Sequence, residues 1–336
     1  MPASCSLVVV NYYSASLAIE AIRSARAATR LPIQVVVVDN SVHQGEAEAL
    51  RQHADVLIAA STNLGYGAAI NRARPACDGE VLLACNPDIR FAPKSIDALL
   101  DADADVAGPA LFWDDAFEWL LPPSELRTAA EAFDAAMASR SLRWRRVRDR
   151  HRIRERIEFW SMRSPTRVPA ISGAAMAIRR AAFDRIGGFD ERFHLYFEEI
   201  DFQRRLQSGS IIYIPNARCR HLYNQSAGKS PAATETFARS EMQYLEKWGG
   251  AWAKRLEKSV IPEAGERLVN GITLEHTEVV IEASPLASFE TAAGHFPRHN
   301  RVDFPDEVWQ SYLGEALYLR VIDRRSARVL ATYVKI

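Results

Sequence analysis

Four short apolar runs near the start of the chain constrain its fold more than any other feature. They are Ser6–Val10, Ile33–Val38, residues 55–60 and residues 80–85. The first two are rich in β-branched valine and nearly unbroken by polar residues, as expected of strands buried on both faces of a parallel sheet. Between them Leu17, Ala18, Ala21, Ile22 and Ala25 keep helical spacing, with Ser14 or Ser16 placed to cap the start. A further helix is expected over about 67–74. This alternation predicts an α/β sheet, whose ligands gather at the carboxyl ends of the strands. Asp39, the loop from Asn63 to Asn71, and Asn86-Pro87-Asp88 all fall at such ends. Each has an ordinary reading as well, as a cap or a turn. Gly65 and Gly67 lack the third glycine of a dinucleotide fingerprint, because position 70 is Ile.

A second concentration is LYFEEIDFQRRL at 195–206, where Glu198, Glu199 and Asp201 crowd together ahead of Arg204 and Arg205. Adjacent carboxylates repel and are costly to desolvate, so crowding raises their pKa values. A raised pKa suits a base that must hold a proton briefly. The competing reading is an acidic helix start favoured by the helix dipole. Asp201 and Arg205 stand at i, i+4, the spacing of an anchoring pair.

The whole chain of 336 residues has 42 basic and 42 acidic side chains, so net charge alone points to no partner. The balance hides a local excess. Residues 139–167 hold eleven arginines against Asp149, Glu155 and Glu158, interleaved with Leu142, Trp144, Val147, Ile153, Ile157, Phe159 and Trp160. One reading is a solvated helix packed by its apolar residues. Another is an anionic membrane surface or lipid-diphosphate site, with Arg143, Arg145, Arg146 and Arg148 on the lipid and Trp144 and Trp160 as interfacial anchors. No motif for nucleic acid accompanies the charge, so no nucleic-acid partner is expected. Cys5, Cys77, Cys85 and Cys219 have no metal-site spacing, which favours a reduced cytosolic setting. No apolar run reaches the roughly 18 residues of a membrane span, and no signal peptide is evident. After a helical stretch at about 232–258, three runs read as strands: 278–282, 316–322 and 328–335. Asp323-Arg-Arg-Ser-Ala predicts a hairpin between the last two, within a small β module over 262–336 that carries no catalytic motif.

Taken in order, VVVNYYS, VVVVDNS, NLGYGAAIN, NPD, SGAAMAIRRAAFDRIGGFDERFHLYFEEIDF and His221 resemble a family 2 glycosyltransferase of GT-A fold, rhamnosyltransferase-like members above all. The likeness covers residues 6 to about 228. It implies a catalytic domain over 1–258 with 113–167 inserted in it. The Val9–Asn11 segment and Asp39 would hold the base and ribose of a nucleotide-sugar, and Asn63, Gly65 and Asn71 would shape the same pocket. Asn86 and Asp88 occupy the Asp-x-Asp position. Asp88, with His221, would hold a divalent cation, Mg²⁺ or Mn²⁺, at the diphosphate. Glu199 takes the place of the general base, where the family more often has Asp. Gly173, Asp190, Glu198, Asp201 and Arg205 would support the acceptor side. The implied enzyme is an inverting transferase, with dTDP-rhamnose as first donor and a glycan or lipid-linked acceptor. It would work in the cytoplasm or on the inner face of the plasma membrane, and self-association is left open. The alternative is a non-catalytic glycan or nucleotide-sugar binding protein, favoured by Asn86 and Glu199 as departures. A nucleotidyltransferase is disfavoured, since residues 10–16 contain no Lys or Arg.

Overall fold

The computed structural model describes residues 4–207, 209–222, 231–259, 265–268, 271–305, 308, 310 and 316–335. The chain divides into two compact units. One comprises Met1–Ala110, Ser124–Thr128 and Arg163–Gly249; the other comprises Leu111–Pro123, Ala129–Met162 and Gly250–Ile336.

The first unit is built on β1 (Cys5–Asn11), β2 (Ile33–Asp39), β3 (Val56–Ala59), β4 (Val81–Cys85), β5 (Ile89–Phe91), β6 (Val106–Phe112), β7 (Thr166–Arg167), β8 (Ala175–Arg179) and β9 (Ile211–His221). Its helices are α1 (Ala15–Ala27), α2 (Gln44–Arg51), α3 (Tyr66–Ala73), α4 (Ser95–Leu100), α7 (Arg180–Arg185), α8 (Glu198–Arg205) and α9 (Pro231–Trp248). The sheet order is β3-β2-β1-β4-β8-β6-β9-β5, with β7 beside β9. The first four strands in that order run parallel, and β8 is antiparallel to β4. Leu7, Val8, Val9 and Val35 to Val38 are buried, which is why their runs carry so little polarity. Asn11 lies opposite Asp39, and Asp39 opposite Ala59, so three strand ends finish level.

Two details depart from expectation. Ser14 is the N-cap of α1, but its side chain makes no capping bond. Instead the Glu46 carboxylate, from α2, accepts from the Ala15 N–H at 2.9 Å, placing an anion at the positive helix end. The helix expected over 232–258 is broken. Gly249 and Gly250 take φ of 85° and 111°, ending α9 and starting the short α10 (Ala251–Lys254).

The second unit contains α10, α5 (Ala129–Arg140), α6 (Leu142–Ser161), β10 (Glu266–Arg267), β11 (Ile272–Thr273), β12 (Val279–Ser284), β13 (Ala293–His295), β14 (Arg301–Val302), β15 (Leu317–Asp323) and β16 (Val329–Lys335). Five of these strands form a sheet in the order β10-β16-β15-β12-β13. The β15–β16 hairpin closes where Asp323 Oδ1 accepts from the Ser326 N–H at 2.7 Å. Ser141 caps α6 by accepting from the Trp144 N–H.

The basic helix is anchored to this sheet. Ile153 packs with Ile322 and Ala327. Glu282 is fully buried and accepts from Arg156 Nε at 2.7 Å and Arg320 Nε at 2.6 Å, while Arg320 also holds Asp149. Trp160 is 1% exposed, and its indole N–H donates to the Leu121 carbonyl at 3.0 Å. It is a core residue, which corrects the expectation of an interfacial anchor. Arg148 pairs with Asp134 at 2.8 Å, and Arg145 Nε donates to the Ala138 carbonyl. Of the four arginines singled out from sequence, Arg143 and Arg146 face solvent. Among the described residues, no helix is long and apolar enough to cross a membrane.

Candidate active site

The level strand ends carry a closed polar cluster. Asn11 Nδ2 lies within hydrogen-bond reach of Asp39 Oδ1, Ser41 Oγ and Glu46 Oε2, at 2.9 to 3.1 Å, and Asn11 Oδ1 accepts from the Ser14 N–H and hydroxyl. Asp39 Oδ1 also accepts from the Ser41 N–H and hydroxyl. Asn11 and Asp39 are both buried, and these bonds hold the strand ends to each other. Val9 is buried within β1, so its side chain belongs to the core. The residues that do reach solvent here are Tyr12 and Tyr13, 48% and 58% exposed, with rings in edge-to-face contact at 4.9 Å. Sequence reasoning passed over them, although they directly follow Asn11 and offer aromatic faces beside the strand ends.

The 63–71 loop and the acidic helix are fastened together. Asn63 Oδ1 accepts from the Gly65 N–H. Gly65 has φ of 85°, and a Cβ there would lie 2.1 Å from the His194 carbonyl oxygen, so only glycine fits. Asn71 accepts from the Phe189 N–H and donates to the Phe189 carbonyl and Glu191 Oε1, pinning the segment that leads into α8. Tyr196 and Phe197 both have φ of 69° immediately before Glu198. Two successive left-handed aromatics are costly, and the packing that holds them there fixes the direction of the acidic pair.

Behind that pair the helix is clamped. Asp201, fully buried, accepts from Arg205 Nε and Trp248 Nε1, each at 2.8 Å, and is also paired with Lys247. Lys247 and Arg192 pair with Asp190 as well; the Arg192 hydrogen bond first, then Lys247, keep the Asp190 carboxyl well below the usual carboxylate range. Gln203, which sequence reasoning did not single out, exchanges both amide bonds with Ile171 and donates to the Glu199 carbonyl. These partners make Asp190, Asp201 and Arg205 supports of α8.

Glu198 and Glu199 differ from Asp190 and Asp201. Each has a buried Oε2 with no hydrogen-bond partner among the described residues. Burial pushes both carboxyls up, and for Glu198 the Glu199 charge adds to it. Backbone N–H groups at the start of α8 partly offset the rise at Glu199. A Cβ on Gly173 would lie 2.9 Å from Glu199 Cγ, so glycine makes room for this side chain. The Tyr66 hydroxyl donates to the Gly173 carbonyl at 2.9 Å and holds that edge in place.

Asp88 and His221 are also brought together. β5 pairs with β9 so that Ile89 lies opposite His221, and the Leu222 N–H donates to the Asp88 carbonyl. His221 Nε2 is 3.4 Å from Asp88 Oδ2, while Asp88 Oδ1 is buried without a hydrogen-bond partner among the described residues. Burial alone would raise the Asp88 carboxyl; His221, with help from Arg90, outweighs it and holds the pKa below its ordinary value. Asn86 is tied in by its N–H to the Ala174 carbonyl.

A polar cluster at parallel strand ends, an Asp88–His221 pair and a buried acidic pair thus occur in one unit. The sequence model of the family described as glycosyltransferase like family 2 matches residues 2–243. The chain belongs to glycosyltransferase family 2. It is an enzyme of that class, with the GT-A fold. An N-acetylglucosaminyl-diphospho-decaprenol L-rhamnosyltransferase of Mycobacterium tuberculosis is 32% identical over 232 residues, 61% of this chain and 72% of the relative. Human polypeptide N-acetylgalactosaminyltransferase 15 is 29% identical over 118 residues, 31% of this chain and 18% of the relative. Two solved structures are similar at 15% identity. GalNAc-T7 with UDP, GalNAc and Mn²⁺ has a TM-score of 0.48 over 73% of this chain, which spans about half, 48%, of that one. The mannosyltransferase PcManGT from Pyrobaculum calidifontis, in complex with GDP-Man and Mn²⁺, has a TM-score of 0.47 over 76% of this chain and 73% of its own.

Proposed function

We propose that this glycosyltransferase moves rhamnose from dTDP-rhamnose onto a lipid-linked glycan acceptor, with inversion at the anomeric carbon and with a divalent cation at the diphosphate. The setting would be bacterial surface-polysaccharide assembly, at the cytoplasmic face of the membrane. The observation that carries the chemistry is the Glu199 carboxylate, whose buried Oε2 has no hydrogen-bond partner among the described residues. The mycobacterial relative's name, which gives L-rhamnosyl transfer and N-acetylglucosaminyl-diphospho-decaprenol, supports the sugar and the kind of acceptor.

In this reading Glu199 accepts the proton of the acceptor hydroxyl as that oxygen bonds to C1 of the sugar. The C1–O bond to the diphosphate breaks on the opposite face, and the nucleoside diphosphate leaves with the bonding pair. A pKa raised by burial makes Glu199 a stronger proton acceptor than an exposed glutamate. Asp88 Oδ1, which has no partner among the described residues, would be a hard oxygen ligand for Mg²⁺ or Mn²⁺, with the diphosphate oxygens and the adjacent His221 imidazole completing the site. When bound, the cation neutralises charge growing on the leaving diphosphate. Asn86 and Asp88 would line that end of the donor, with Tyr12 and Tyr13 beside the base.

A panel of nucleotide-sugars with and without EDTA tests this directly. dTDP-rhamnose should be turned over fastest, and only with Mg²⁺ or Mn²⁺. Asp88→Ala should weaken dTDP binding when the cation is present and have much less effect in EDTA. Preference for another donor would overturn the rhamnose assignment; equal loss in both conditions would remove Asp88 from the metal site.

A further inference from the structure

The sequence marked the arginine-rich helix but could not say which of its side chains are free. The structure separates them. Arg145, Arg148, Arg152 and Arg156 are committed to the second unit itself, through the Ala138 carbonyl, Asp134, Glu290 and Glu282 respectively. Arg143, Arg146 and Arg150 are exposed, and among the described residues none of them is in an ion pair. With Leu142 and Val147 they share one open side of α6. Val147 is 68% exposed, Leu142 48% and Trp144 40%. Phe133 of α5 contacts the rings of both Trp144 and Trp252, at 6.2 and 5.9 Å, and Trp252 of α10 is itself 56% exposed. The acids of this part of the helix pair are taken up elsewhere, Asp149 by Arg320 and Asp134 by Arg148.

We infer that this face, formed by Arg143, Arg146 and Arg150 around Leu142 and Val147, is a docking surface for an anionic phospholipid bilayer. An exposed aliphatic pair flanked by cations outside any ion pair among the described residues is matched by a surface with negative headgroups over an apolar interior. A polyanion such as nucleic acid would match the charge but leave Val147 and Leu142 against water. Arginine suits the headgroup phosphates through its forked donors. The proposal deepens the membrane location given above and stands apart from the transfer chemistry, since no residue in it belongs to the acidic pair or the Asp88–His221 pair.

The test is sedimentation of the full chain with sucrose-loaded vesicles, either of pure phosphatidylcholine or with phosphatidylglycerol added. The wild type should pellet with the anionic vesicles at low salt, far less with the neutral ones, and progressively less as NaCl shortens the screening length. Replacing Arg143, Arg146 and Arg150 together by Gln should weaken binding on the order of a hundredfold, taking about fivefold for each arginine near the surface. A charge-matched control, Arg23→Gln with Arg51→Gln and Arg328→Gln, should bind within a few fold of wild type. Val147→Ser with Leu142→Ser should weaken binding without changing net charge. The inference is overturned if the wild type stays in the supernatant at low salt, or if the control loses as much as the triple variant. It is also overturned if an oligonucleotide is bound tightly while vesicles are not. Donor turnover, measured without vesicles, should be the same in the triple variant as in the wild type.

Discussion

Two buried acidic centres, one in each unit, show what separates architecture from chemistry in this chain. Glu282 in the second unit is fully buried, yet it is surrounded by Arg156 and Arg320, each close enough for a charged hydrogen bond. The Phe289 ring lies 4.2 Å from the Arg320 guanidinium carbon, covering the cation as well. Glu198 and Glu199 in the first unit are held next to each other, with one oxygen apiece facing no donor among the described residues. Burying a charge is tolerable when its partners replace water, and costly when they do not. The first arrangement needs nothing further. The second is open to a further partner, and in the proposed reaction an acceptor hydroxyl would supply it.

The largest effect expected from breaking this contrast is at Glu282. Glu282→Ala would leave the buried Arg156 without its carboxylate and Arg320 with Asp149 alone, at a cost of about 3–5 kcal/mol. Chemical denaturation should show it, whereas replacing Arg156, Glu282 and Arg320 together by apolar residues should cost far less. If the single substitution left stability unchanged, the pairing would have no structural role.

The smaller effect is at Glu198. Its carboxyl is pushed above the ordinary glutamate value of 4.5, so the folded protein holds this proton more tightly than the unfolded chain does. Stability should therefore fall as pH rises from that ordinary value through the raised folded value, because only the unfolded chain has released the proton in that window. Glu198→Gln cannot ionise and should flatten this decline and raise the melting temperature at the alkaline end. An unchanged pH profile would mean that Glu198 is already compensated in solution.

The two units were unequally legible in the sequence. The parallel strands could be read because each is a local run whose valines are buried on both faces. The acidic pair was visible through its crowding, and Asp201 with Arg205 through the i, i+4 spacing. What sequence could not give was the set of partners. The Asn11–Asp39–Glu46 cluster joins residues 28 and 35 positions apart: strand register sets Asn11 opposite Asp39, and α2 carries Glu46 to them. In the second unit the distances are greater: Arg156 finds Glu282 126 residues away, and Asp149 finds Arg320 171 away. An arginine in an ion pair and one facing solvent look the same in a string of letters, so the net charge of 139–167 overstated the free cations. Trp160 was misread for the same reason, since nothing local shows that it is buried against Leu121.

The measurement that bears most directly on the central claim is the initial rate of sugar transfer by Glu199→Gln, with donor affinity measured on the same sample. Glutamine keeps the size and most of the contacts of Glu199 but cannot take the acceptor's proton. The account predicts a rate lower by roughly two to four orders of magnitude, with donor binding and thermal stability retained. Near-normal turnover in a folded Gln variant would contradict it.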